Sequence, residues 1–127
     1  MEGDRRGAGP TQGMVIVVHT TCPDRATAGN LAGTLVAAGV AACAQVDGPI
    51  ESTYRWQGAI ERAEEWRCTI KTSPVSCSAC LAAIRASHPY AVPELVWEVV
   101  PATPDYAAWV EEVTVRPVGE APPGEAP

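Results

Sequence analysis

The strongest constraint on this chain is a change in the period of its apolar residues, which alternates between strand-like and helix-like along about 100 residues. Met14-Val15-Ile16-Val17-Val18 is apolar at every position and rich in β-branched side chains. That pattern predicts a central strand covered on both faces. Thr21-Cys22-Pro23-Asp24 follows, with Thr21 and Asp24 at capping-box spacing and Pro23 at a helix start. Ala28, Leu31, Ala32 and Leu35 then recur at helical spacing, and Gly39 suits a left-handed helix end. A helix over 24–38 is expected.

The second half repeats the scheme. Val40–Val46 reads as a strand, broken at Gly48-Pro49 and resumed over Ile50–Tyr54. Because proline cannot donate to a strand ladder, the break predicts a bulge or an edge position. Trp56-Gln57-Gly58 supplies a turn, and Trp66, Cys68 and Ile70 alternate with Arg67, Thr69 and Lys71 as in a strand with one wet face. Cys77, Cys80, Leu81 and Ile84 return to helical spacing until His88-Pro89-Tyr90, where a residue before proline leaves the α region. Leu95–Val100 reads as a fourth buried strand. Thr103-Pro104 opens a last helix with Tyr106, Trp109, Val110 and Val113 on one face. The order β-α-β-β-α-β with an extra C-terminal helix predicts an α+β, ferredoxin-like sandwich.

Composition narrows the function. The two ends, 1–13 and 117–127, hold 11 of the 23 glycines and prolines and show no periodicity, so both are expected to be disordered tails flanking one domain at 14–116. The whole chain carries a net charge of −6 and the domain remains acidic without the tails. Nucleic-acid binding needs a basic stripe, so it is not expected. No apolar run approaches the roughly 20 residues of a membrane span, and no basic start leads into an apolar signal region. A cytoplasmic protein is the expectation. Paired catalytic carboxylates, a nucleophile–histidine arrangement and a glycine-rich phosphate loop are all missing, so no enzymatic activity is expected.

Several short motifs are more specific than the pattern. They are Thr21-Cys22-Pro23-Asp24, Ala41-Ala42-Cys43-Ala44, Ser52-x-Tyr54-Arg55-Trp56-x-Gly58-x-Ile60, Glu65 with Lys71-Thr72, His88-Pro89-Tyr90-x-Val92-Pro93-Glu94, and Tyr106-x-x-Trp109. In this order they resemble the CutA-type divalent-cation tolerance family over about Val15 to Val115. The resemblance implies a ferredoxin-like protomer in a tight homotrimer, with long hairpins joining the sheets of different subunits. It also implies a link to copper and other divalent metals, and no established reaction.

The donor residues suit that chemistry, because thiolate and imidazole favour copper and zinc. Candidates are Cys22, Cys43, Cys68, Cys77, Cys80, His19 and His88. The resemblance points to Cys43 as the copper position; as a residue it fits equally a small apolar side chain on a strand. Cys22 follows strand 1, where a helix N-terminus lowers a thiol pKa, although capping alone explains its neighbours. His88 is a ligand candidate or a helix-terminating residue. Cys77 and Cys80 share the helical stripe of Leu81 and Ile84 and are expected in the core. The only lysine, Lys71, is expected beside Glu65, lining a cleft with Tyr90, Glu94 and Arg55. Tyr54, Trp56, Tyr106 and Trp109 are expected to pack at a subunit interface. The competing reading is a trimeric sensor resembling the PII signalling proteins, holding a small anionic metabolite in clefts between subunits through Lys71, Arg55 and His88.

Overall fold

A computed structural model describes residues 13–114. The expected tails lie outside the described residues, except that Gly13 already opens the first strand. The elements are β1 (Gly13–Cys22), α1 (Arg25–Ala37), β2 (Cys43–Trp56), β3 (Ala59–Thr72), α2 (Cys77–Ser87), β4 (Val96–Ala102) and α3 (Pro104–Thr114). The four strands form one sheet in the order β2-β3-β1-β4, with every neighbouring pair antiparallel. The βαββαβ order and the additional helix are therefore as the sequence predicts.

Strand alternation divides the core between two faces. Ile16, Val18 and Cys22 of β1 and Cys68 and Ile70 of β3 point toward α1 and α2, where they meet Ala28, Leu31, Leu35, Cys80 and Ile84. Leu35, Ile70 and Ile84 are the bulkiest fully buried side chains; each contributes roughly 1.5–3 kcal/mol through removal of apolar surface from water. On the opposite face Val15 packs with Ala42 and Val110, so α3 covers one end of the sheet from the other side. A second contact holds α3 in place. Thr114 donates its hydroxyl to Ser73 or to the Val110 carbonyl, while Ser76 bonds the Thr114 carbonyl, all within buried surroundings.

Local chemistry explains the element ends. Asp24 caps α1, its carboxylate accepting from the Thr27 amide at 2.7 Å. Thr21 is not part of that cap; it remains in β1, paired with Arg67. Gly39 at φ +75° ends α1 in the left-handed region open to glycine. The hairpin turn between β2 and β3 places Gln57 at φ +49° and Gly58 at φ +82°, the two positive angles that match the twist of a tight hairpin. The break at Gly48-Pro49 is a bulge, seen as a register shift between Asp47 and Ile50. Glycine is required there for space, because a Cβ on Gly48 would lie 2.7 Å from the Trp66 ring.

Two expectations need correction. β3 begins at Ala59, far ahead of the predicted Trp66, because its first half is charged and exposed and shows no apolar alternation. β4 is not buried: it is an edge strand, with Val96, Trp97 and Val99 exposed by 51%, 51% and 58%. An apolar run does not by itself distinguish a central strand from an edge strand.

Candidate functional site

The motif residues gather into two clusters at opposite ends of the sheet. The first lies where β1 ends. His88 donates Nε2–H to the Thr21 carbonyl at 2.8 Å, and its Nδ1 accepts the Tyr90 amide at 3.1 Å. Both ring nitrogens are thus committed, and neither offers a lone pair to a metal. Cys22 Sγ lies 4.0 Å from His88 Nε2 and is fully buried. Burial, with Asp24 and Glu65 nearby, pushes the Cys22 thiol up and keeps it protonated. Tyr90 donates its hydroxyl to Glu65 at 2.8 Å. Burial and that carboxylate push the Tyr90 phenol up as well. Glu94 joins through its backbone, whose carbonyl accepts from the buried Thr20 hydroxyl at 2.7 Å.

Cys43 stands at the other end, at the start of β2. It pairs across the ladder with Lys71, which itself pairs with Val17. The Cys43 thiol lies 3.9 Å from the Tyr106 hydroxyl, and Tyr106 stacks at a tilt on Trp109 with ring centres 5.8 Å apart. Lys71 donates to the Gln45 side chain. Lys71 and Glu65 are not neighbours: six residues of extended strand separate them, about 20 Å. Of the expected cleft, Glu65, Tyr90 and Glu94 come together, whereas Lys71 and Arg55 lie elsewhere in the chain. Arg55, Tyr54 and Trp56 sit on the exposed tip of the β2–β3 hairpin. Lys71, Arg55 and His88 do not gather within one chain, so among the described residues a single chain holds no positive site for an anion.

The five cysteines differ in chemistry as well as place. All are free thiols, and Cys22, Cys68 and Cys80 are buried. Burial pushes Cys68 up to about 11 and Cys80 up to about 12, so both remain protonated at neutral pH. Cys77, half-buried on the same helix, is also raised by burial. Cys43, also half-buried, is the one thiol on the sheet face away from α1 and α2. Sequence reasoning missed the His19–Glu98 contact, 3.1 Å between β1 and β4 on that face. An acidic residue inside the apolar run of β4 was its available signal.

A metal ion is tested by this donor set. Among the described residues no three His, Cys, Asp or Glu side chains are placed to hold an ion together. Cys22 is a protonated thiol in the core and His88 is fully hydrogen-bonded, so the first cluster does not fit a soft metal. At Cys43 a single thiol stands beside a phenol, which is too few donors for a closed site. One protomer alone does not fit the group.

The family model described as "CutA1 divalent ion tolerance protein" matches residues 16–113. The chain belongs to the CutA1 family. It is 38% identical over 98 residues to the divalent-cation tolerance protein CutA of Escherichia coli, covering 75% of this chain and 86% of that one. Among solved structures, CutA from Xylella fastidiosa superposes with a TM-score of 0.75 at 36% identity, covering 79% of this chain and 97% of its own. A more distant CutA, from Archaeoglobus fulgidus and described as periplasmic, gives a TM-score of 0.72 at 25% identity over 79% of this chain and 98% of its own. The sequence resemblance thus holds over residues 16–113, and the fold matches that of solved CutA structures.

Proposed function

We propose that this CutA1-family protein is a non-enzymatic homotrimer that binds copper or another divalent cation through Cys43, with further donors supplied by a second copy of the chain. The observation that carries this reading is the position of Cys43. It is half-buried on the sheet face that α1 and α2 leave open, while Cys22, Cys68 and Cys80 are sealed in the core. The soft thiol suits copper, and in this reading symmetry-related copies supply the further donors that a metal site needs.

Assembly is supported by apolar surface that one chain leaves uncovered. Trp56 and Ile60 on the hairpin, Val96, Trp97 and Val99 on the β4 edge, and Tyr106 and Trp109 on α3 are all exposed. Single exposed apolar residues are ordinary, but an unpaired edge strand bearing three of them is a template for another chain. No described helix is long and apolar enough to cross a membrane. Five unpaired thiols favour a reducing compartment, and we place the protein in the cytoplasm.

The deciding experiment combines light scattering with copper and zinc titration of wild type and Cys43→Ala under reducing conditions. A trimer that loses most of its copper affinity on Cys43→Ala is the expected result. A monomer, or equal affinity in both proteins, overturns the reading.

A further inference from the structure

Glu65 is a buried carboxylate that one chain leaves half-answered. Only 8% of it is exposed, and Tyr90 donates to one oxygen, Oε2. Among the described residues no second donor reaches it and no cation is paired with it; the ion pair they contain, His19–Glu98, lies between β1 and β4. Taking a carboxylate out of water is costly unless its oxygens are hydrogen-bonded and its charge is met. Its neighbours cannot do this. Cys22 is a protonated thiol, Asp24 is acidic, and His88 spends its one N–H on Thr21.

We propose that the Glu65–Tyr90 pair is one half of an inter-chain site, completed by the Arg55 guanidinium of a second copy of this chain. The inference rests on the oligomeric reading above and goes beyond it by naming a residue that the second copy contributes.

Geometry within one chain excludes its own Arg55. Ile50 pairs with Glu65 and Tyr54 with Glu61, so Glu65, Ala63, Glu61 and Tyr54 share one face of the hairpin. Arg55 pairs with Ile60 and lies on the other face, about five residues of strand further out. The remaining described cations do not pair with it either. Arg25 lies over the Trp66 ring at 5.6 Å, Lys71 bonds Gln45, Arg85 sits in the last turn of α2, and Arg67, two residues along β3 from Glu65, makes no ion pair with it. Arg62 lies beside the cross-strand pair Glu51–Glu64. Arg55 is exposed at the hairpin tip, between the exposed aromatics Tyr54 and Trp56. The tip exposes Tyr54, Trp56 and Ile60 and the β4 edge exposes Val96, Trp97 and Val99, so a tip laid against another copy's β4 buries apolar surface on both. It also carries Arg55 toward the end of the sheet where Glu94 precedes β4 and Glu65 waits. A guanidinium can meet a carboxylate with two parallel N–H bonds, which suits an acceptor already holding one phenol.

The test is a double-mutant cycle on the full chain, with Glu65→Gln, Arg55→Gln and the double variant. Dissociation is followed by light scattering across guanidinium chloride and protein dilution series, with circular dichroism reporting the fold. Each single variant should weaken assembly by at least about thirtyfold, and the double variant should be no weaker than the worse single one. If Arg55→Gln assembles like wild type, or the two losses multiply, the pairing is overturned while the trimer stands. A wild type that is monomeric overturns both. Should Glu65→Gln fail to fold, Arg55→Gln on the exposed tip decides alone.

Discussion

The Nε2–H of His88 donates to the carbonyl oxygen of Thr21 at 2.8 Å, fastening the turn after α2 to the end of β1. With the Tyr90 amide on Nδ1, the imidazole bridges two backbone groups and keeps no free nitrogen. His88→Ala leaves both backbone groups without a partner, for a loss of about 1–3 kcal/mol in stability. Urea unfolding should register that loss while copper and zinc titration curves stay unchanged. A tenfold drop in metal affinity at unaltered stability would assign His88 to a metal site instead.

Thiol reactivity should follow burial. Cys22, Cys68 and Cys80 are enclosed, and the latter two are held protonated by burial that raises them to about 11 and about 12. Alkylation requires an exposed thiolate. Iodoacetamide at neutral pH, followed by peptide mass mapping, should modify Cys43 and Cys77 ahead of these three. Labelling of Cys68 or Cys80 in native protein at the rate of an unfolded peptide would contradict the packing.

The same shifts make stability sensitive to base. Thiols of the unfolded chain titrate near 9, whereas Cys68 and Cys80 in the folded chain hold their protons to about 11 and about 12. The folded state therefore binds more protons in this window, and stability falls as pH rises through it. Tyr90, raised by burial and by Glu65, acts in the same direction. Urea midpoints should be level below about pH 9 and decline steadily above it. Cys68→Ala and Cys80→Ala should each flatten the decline; a wild-type midpoint that is constant to pH 11 would rule the coupling out.

Those two cysteines also show what sequence could reveal. The helical stripe of Cys77, Cys80, Leu81 and Ile84 directed Cys80 into the core, and it is fully buried there. The bulge at Gly48-Pro49 was legible because proline cannot donate to a ladder. Other features were not. His88 looked like a ligand because its partner, Thr21, lies far away in sequence. Lys71 and Glu65 stand together in the family motif, yet an extended backbone carries them apart. Half of β3 was silent because its side chains face water on both sides, where alternation has no cause. The apolar run in β4 was visible, but its exposure at the sheet edge was not, since hydropathy does not say which strands a fold places at its edge.

The central strand has a consequence during synthesis. Ile16 of β1 pairs with Thr72 on one side and Val99 on the other, so neither partner exists when β1 leaves the ribosome. At about 5–20 residues per second, the segment Met14–Val18 waits several seconds for its first ladder and longer for its second. The β2–β3 hairpin, by contrast, can close from its own turn as soon as it is made. Translation speed ahead of Thr72, rather than the stability of the finished sheet, then sets how long the stickiest stretch of this chain is left for chaperones to hold.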